Sequence, residues 1–222
     1  MTKKEDLIKL IPEQGVLPLF FHKDPEVSKN VIKNLYEGGI RTIEYTNRGA
    51  EALENFKILR KFCDNELPGM HLGSGTIKTK EAAEVFVNAG TDFIVSPGLV
   101  KDVAKVAEAN KLLWIPGCMT PSEIIKAEGL GAKMIKLFPG DLLGPRFVSA
   151  IRPIFPDLFF MPTGGVDVDR ENLREWFKSG VCAVGMGSKL VSKTLLEKRA
   201  YSEIKEMTKR VFQTISLARK DL

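Results

Sequence analysis

Val16-Leu17-Pro18-Leu19-Phe20-Phe21-His22-Lys23-Asp24-Pro25 is the stretch on which the fold assignment rests. Its first five residues are apolar throughout, the pattern of a short strand covered on both faces. Asp24-Pro25 then reads as a helix N-cap followed by a first-turn proline, since an aspartate oxygen accepts a free amide and proline has no amide to satisfy. The strand passes into the helix through Phe21-His22-Lys23-Asp24, which contains no glycine. A doubly wound open sheet usually has a glycine-rich turn here and needs a reversal of strand order, so a closed barrel is the simpler reading.

Outward from this unit, apolar or β-branched runs recur at intervals of roughly 19 to 29 residues, each followed by turn residues and a helix-period segment. They are Thr42 to Tyr45, His71 to Ser74, Phe93 to Ser96, Leu112 to Pro116, Met134 to Leu137, Phe159 to Met161 and Ala183 to Gly185. With Val16 to Phe20 they make eight strands. Thr120-Pro121-Ser122-Glu123 adds a capping box, and Gly38-Gly39, Gly90, Gly129 and Gly180 stand where helices must reverse. Val27, Val31 and Leu35 share one helix face, as do Ile204, Met207, Val211 and Ile215 near the end. A helix over Lys4 to Leu10 is expected to close the N-terminal mouth. The fold expected is α/β: one (β/α)8 TIM barrel over residues 1–222, with an N-terminal helix before the first strand.

Composition narrows the function. The 222 residues are 44% hydrophobic and 27% charged, enough for one substantial core. The net charge of +5, from 33 basic and 28 acidic residues, is spread without a dense basic run. Nucleic acid and membrane surfaces are therefore not expected partners, whereas small anionic substrates remain compatible with this charge. Cys63, Cys118 and Cys182 are too few and too far apart for a disulfide framework or a zinc site, which suits a reducing, cytoplasmic setting. The opening Met-Thr-Lys-Lys-Glu-Asp-Leu has acidic residues before any apolar stretch, and no run nears the roughly 18 apolar residues of a membrane span. A soluble, unprocessed chain is expected.

Polar residues at the C-terminal ends of barrel strands face the substrate, which directs attention to Lys136 in Met134-Ile135-Lys136-Leu137-Phe138-Pro139. An arbitrary strand lysine more often snorkels from the sheet edge. In a closed parallel barrel it must point into the core or lie beneath helices, where loss of water disfavours the ammonium ion and leaves a nucleophilic amine. Glu44, on the same side of its strand as Thr42 and Thr46, is the natural partner, either as general acid and base or as a structural ion pair with Lys136 or Arg48. Arg48 offers a planar fork to a carboxylate and reads equally well as a surface residue. Pro162-Thr163-Gly164-Gly165 and Gly185-Met186-Gly187-Ser188 follow the last two strands, where barrels often cradle a phosphate with backbone amides. Gly73 to Thr76 and Ser96 to Gly98 suggest further close approach of backbone to ligand. His22 and His71 read as structural, no metal-ligand spacing is present, and Cys118 lacks a neighbouring histidine to activate it.

Taken in order, Glu44-x-Thr46-x-Arg48, Gly73-x-Gly75-Thr76, Ser96-Pro97-Gly98, Ile115-Pro116-Gly117, Lys136-x-Phe138-Pro139 and Pro162-Thr163-Gly164-Gly165 resemble the 2-keto-3-deoxy-6-phosphogluconate and 4-hydroxy-2-oxoglutarate aldolase family over about residues 12 to 195. The resemblance implies a class I aldolase in which Lys136 forms an imine with the keto carbon and Glu44 shuttles protons. Arg48 and Thr76 would hold the pyruvyl carboxylate, Pro97, Phe138 and Thr163 would wall the pocket, and Gly164, Gly165, Gly187 and Ser188 would take the phosphate. It also implies no cofactor beyond the imine, a homotrimer, and a place in Entner-Doudoroff carbohydrate metabolism. The expected reaction yields pyruvate and glyceraldehyde 3-phosphate, with 4-hydroxy-2-oxoglutarate giving pyruvate and glyoxylate as a second activity. Gly-Met-Gly-Ser and residues 138–146 look more like the phosphogalactonate branch, whereas Thr163 matches the phosphogluconate branch. A phosphogalactonate aldolase is thus one alternative, and a different phosphate-binding barrel isomerase or synthase is another.

Overall fold

Backbone hydrogen bonding in the computed structural model, which describes residues 3–220, turns the apolar runs into parallel strands separated by helices. The chain runs α1 (Lys3–Gln14), β1 (Val16–Phe20), α2 (Pro25–Glu37), β2 (Thr42–Thr46), α3 (Ala52–Glu66), β3 (His71–Gly75), α4 (Lys80–Asn88), β4 (Phe93–Val95) and α5 (Lys101–Ala109). It continues through β5 (Leu113–Ile115), β6 (Gly117–Cys118), α6 (Pro121–Gly129), β7 (Met134–Leu137), α7 (Gly140–Ile151), β8 (Phe159–Pro162), α8 (Arg170–Lys178), β9 (Val184–Met186), α9 (Lys193–Glu197) and α10 (Tyr201–Lys220). The start signals act as read: Asp24 Oδ1 accepts from the Glu26 amide at 2.8 Å, and Thr120 with Glu123 forms the capping box.

The strands form an eight-membered (β/α)8 barrel in two ladders, ordered β5-β4-β3-β2-β1-β9 and β6-β7-β8. The run expected as one strand over Leu112 to Pro116 is divided, because proline has no N–H for the ladder. Above Pro116 the chain changes partner: β5 pairs with β4 and β6 pairs with β7, while the Pro116 carbonyl accepts from the Lys136 amide at 2.9 Å. At the other seam, Cys182 N–H donates to the Phe160 carbonyl at 3.0 Å and Thr163 bridges to Gly185. Of the last two strands, the first starts as expected and runs one residue longer, over Phe159–Pro162, and the second is shifted by one residue, to Val184–Met186.

Two apolar layers hold the barrel. Leu17, Phe93, Val95, Leu113, Ile115, Met134, Met161 and Ala183 form the inner one, and Leu7 and Ile11 of α1 lie on it. The opening helix thus closes the mouth as expected. It extends past Leu10 and through Pro12 to Gln14, whose amide ties the barrel floor together by donating to the Val16 and Thr42 carbonyls and accepting from the Arg41 and Thr42 amides. The outer layer lies between strands and helices. On α10 its buried face is Ile204, Thr208, Val211 and Ile215, with Met207 only partly buried. A Cβ at Gly38 would come within 2.7 Å of Thr208 Cβ, so α2 and α10 approach too closely for a longer side chain there. Gly39, Gly90 and Gly180 take the left-handed conformation expected of them, but Gly129 ends α6 as a helical residue and Gly131 makes the reversal.

At the floor, Asp92 is buried, accepts from the Leu72 amide and from Arg60, each at 2.6 Å, and pairs with Lys3. His71 Nδ1 lies 4.0 Å from Asp92, and burial pushes the imidazole pKa below its usual 6.5. A depressed folded-state value means that stability from this group is complete above about 6.5 and is lost as pH falls through the lowered value. Urea midpoints should therefore fall on acidification from about pH 7.5 to 5, less steeply in His71→Asn. Equal slopes for the two proteins would exclude this contribution.

Candidate active site

Alternation along β2 directs Ile43 and Tyr45 toward the helices and Thr42, Glu44 and Thr46 into the barrel. Ladder register sets Glu44 opposite Leu19 on β1 and Gly73 on β3, and sets Lys136 opposite Gly117 on β6 and Met161 on β8. Both polar side chains are buried, at 1% exposure for Glu44 and 4% for Lys136. They meet inside the ring with Lys136 Nζ 3.7 Å from Glu44 Oε2, and the same ammonium lies 5.4 Å from the centre of the Phe138 ring.

Glycines make the room for this pair. A Cβ at Gly75 would overlap Glu44 Oε1, one at Gly185 would overlap Thr163 Oγ1, and one at Gly117 would overlap the Pro97 carbonyl oxygen. Gly75, read from the sequence as a point of close ligand approach, and Gly185, read as part of the phosphate loop, therefore first serve to admit neighbouring side chains. Thr76, just beyond Gly75, has φ of 59°, a left-handed conformation that strains a β-branched residue.

The pairing is poor as a structural device. Among the described residues, neither Glu44 oxygen has a hydrogen-bond partner, and the buried hydroxyls of Thr46 and Thr163 have none either. Two buried charges offset their desolvation only when geometry is good and further hydrogen bonds complete them. At 3.7 Å and without such bonds, this pair carries a cost that a catalytic site tolerates and a stabilising ion pair does not. Arg48, the other partner considered for Glu44, is exposed at the rim.

Two adjoining clefts have volumes of about 460 Å³ each. One is lined by Phe138, Thr163, Gly164, Gly165, Asp167 and Lys189; the other by Phe21, His22, Lys193 and Glu197. Leu19, Arg48, Gly187 and Ser188 line both. Gly164 and Gly165 have φ of 92° and 68°, and a Cβ on Gly165 would come within 2.7 Å of Asp141 Cα, which keeps the loops after β7 and β8 in close contact. Asn172 secures the loop after β8 by donating to the Gly165 carbonyl at 3.1 Å and accepting from the Asp167 amide at 2.9 Å.

The fold thus gathers Arg48, Phe138, Thr163, Gly164, Gly165, Gly187 and Ser188 around one cleft; Lys136 and Glu44 line neither cleft, and Phe138, whose ring centre is 5.4 Å from Lys136 Nζ, links the cleft to the buried pair. Thr76 and Pro97 lie on the neighbouring strand ends, outside the lining of both clefts. Sequence reading missed Leu19, Asp167, Asn172 and Lys189. Leu19 carried no signal beyond its apolar run, and Asp167 and Lys189 come together only through tertiary structure. Cys118 is buried, and burial pushes its thiol up to about 12, so it is not a thiolate near neutral pH. Among the described residues, no cluster of three or more His, Cys, Asp or Glu is arranged to hold a metal ion, and no helix is long and apolar enough to cross a membrane.

A (β/α)8 barrel that encloses a lysine and a glutamate and carries a glycine-lined cleft defines an enzyme of the aldolase type, a carbon-carbon lyase. A sequence profile described as KDPG and KHG aldolase matches residues 7–207, and the chain belongs to that family. The KHG/KDPG aldolase of Escherichia coli is 31% identical over 219 residues, covering 97% of this chain and 98% of that protein. A probable 2-dehydro-3-deoxy-6-phosphogalactonate aldolase of Rhizobium meliloti is 29% identical over 187 residues, 83% of this chain and 86% of its own length. Among solved structures, the KDPG aldolase of Legionella pneumophila, with pyruvate captured as a covalent carbinolamine, superposes with a TM-score of 0.83 at 27% identity. That match covers 92% of this chain and 97% of the other.

Proposed function

We propose that this chain is a class I aldolase that cleaves 2-dehydro-3-deoxy-6-phosphogluconate to pyruvate and glyceraldehyde 3-phosphate. The observation carrying the proposal is the Lys136 amine held 3.7 Å from a carboxylate whose oxygens have no hydrogen-bond partner among the described residues. The amine adds to the C2 carbonyl, and loss of water from the carbinolamine gives an iminium ion. Glu44 takes the proton of the C4 hydroxyl as the C3–C4 bond breaks, and the bonding electrons pass into an enamine on C3. Glyceraldehyde 3-phosphate leaves. Protonation of C3 and addition of water to the iminium then release pyruvate and restore the amine. The iminium is the electron sink, so the sequence of steps calls for no external cofactor.

Arg48 and Thr76 hold the pyruvyl carboxylate in this reading, with Pro97 and Phe138 as walls. The buried Thr163 hydroxyl, unpartnered among the described residues, suits the C4 oxygen, and Gly164, Gly165, Gly187 and Ser188 receive the phosphate. The same pyruvyl chemistry extends to 4-hydroxy-2-oxoglutarate. The Rhizobium relative supports the phosphogalactonate alternative, and pyruvate release from the two C4 epimers decides between them. The reading includes one domain over residues 1–222, a cytoplasmic setting and a homotrimer.

Incubation with pyruvate and borohydride is expected to trap a covalent adduct on the peptide carrying Lys136. An adduct elsewhere, or none by mass spectrometry, would overturn the proposal.

A further inference from the structure

One ion pair at the rim has no part in the chemistry above. Lys189, just after Ser188, reaches across to Asp167 on the loop after β8, with Nζ 2.5 Å from Oδ2. Both residues line the cleft that contains Gly164, Gly165, Gly187 and Ser188, and Arg48 is the other charged side chain lining it. The two partners are not held alike. Asp167 is fixed in its loop: its Oδ1 accepts from the Val168 amide at 2.7 Å, and its own amide donates to Asn172. Lys189 has a flexible four-carbon stem and a side chain 56% exposed, and its bond to Asp167 holds the carboxyl below the usual aspartate range. If either partner is to change place, it is the lysine.

We infer that Lys189 is a specificity-determining residue that leaves Asp167 for the phosphoryl end of the substrate, so that Asp167 and the phosphate compete for one ammonium group. The inference rests on the aldolase reading above. A phosphate dianion in the glycine cradle has the greater charge and more acceptor oxygens, so it draws the ammonium away from a monovalent carboxylate. Asp167, left facing the phosphate, repels it. The pair thus sets how strongly the enzyme prefers phosphorylated acids: the lysine strengthens the preference and the aspartate weakens it.

The test compares kcat/KM for 2-dehydro-3-deoxy-6-phosphogluconate and its dephosphorylated counterpart in the parent enzyme, Lys189→Met and Asp167→Asn. In the last variant the side-chain amide keeps an oxygen to accept from the Val168 N–H. Lys189→Met should lower the ratio of phosphorylated to dephosphorylated kcat/KM about tenfold, the scale of one charge-assisted hydrogen bond discounted for exposure. Asp167→Asn should raise it about threefold by removing the competing charge. The opposite signs are diagnostic, since two residues that merely join the loops would lose the same contact in either variant and shift the ratio the same way. Ratios that are unchanged, or that move together, with pyruvate trapping intact, overturn this inference alone. Absence of trapping and cleavage in the parent enzyme overturns the aldolase reading and this inference with it.

Discussion

Lys136→Met is expected to lower aldol cleavage by at least about 10,000-fold, the scale of losing a covalent nucleophile, and to remove borohydride-dependent capture of pyruvate. Methionine fills a similar volume in the apolar run of β7, so packing is preserved while the amine is lost. The substitution also leaves Glu44 buried with no cation within reach, which destabilises the fold by about 3–5 kcal/mol if the carboxylate stays ionised. Lys136→Met/Glu44→Gln separates the two effects, since an uncharged amide no longer needs a counter-charge. The double variant should regain thermal stability and stay inactive. A Lys136→Met enzyme within about tenfold of the parent would refute covalent catalysis at this position and favour a barrel enzyme that binds the phosphate by its glycine loops alone.

Gly75→Ala is expected to reduce kcat on the order of 100-fold although Gly75 supplies no reacting atom. The added methyl would overlap Glu44 Oε1 and crowd its Cγ, so the carboxylate must leave its place beside Lys136. A displacement of about 1 Å at a catalytic group costs on the order of 100-fold through lost alignment. Overpacking adds about 1–3 kcal/mol of destabilisation. Trapping with pyruvate and borohydride should persist at a reduced rate, because the amine remains, whereas turnover, which needs the displaced acid and base at every proton transfer, should fall further. A parent-like kcat in Gly75→Ala would show that Glu44 does its work from some position other than the one seen.

The strands, the closing helix and the two charged residues were legible because their signals are local. Apolar runs of strand length, Asp24-Pro25 before a helix, and a lysine standing in Met-Ile-Lys-Leu each depend on residues within a few positions. Boundaries were less legible where a neighbour overrode propensity. Pro116 splits the fifth strand because ladder partners change there, and Gly129 stays helical because the chain reverses two residues later at Gly131. Thr208 rather than Met207 completes the buried face of α10, since Gly38 approaches that point too closely for a longer chain.

By itself, then, the sequence determined that strands alternate with helices, that the first turn needs no glycine, and that Lys136 and Glu44 are charged residues standing within strands. Whether those two meet was decided by tertiary structure alone. Ring closure and register, from Leu19 opposite Glu44 at one side to Gly117 opposite Lys136 at the other, bring the Lys136 Nζ of β7 within 3.7 Å of the Glu44 Oε2 of β2. The same closure brings Asp167 to Lys189 and turns Gly75 from a turn residue into the space that Glu44 occupies. The physical reason is that periodicity reports which way a side chain faces along its own strand, whereas distance across a barrel depends on the twist and stagger of all eight strands together.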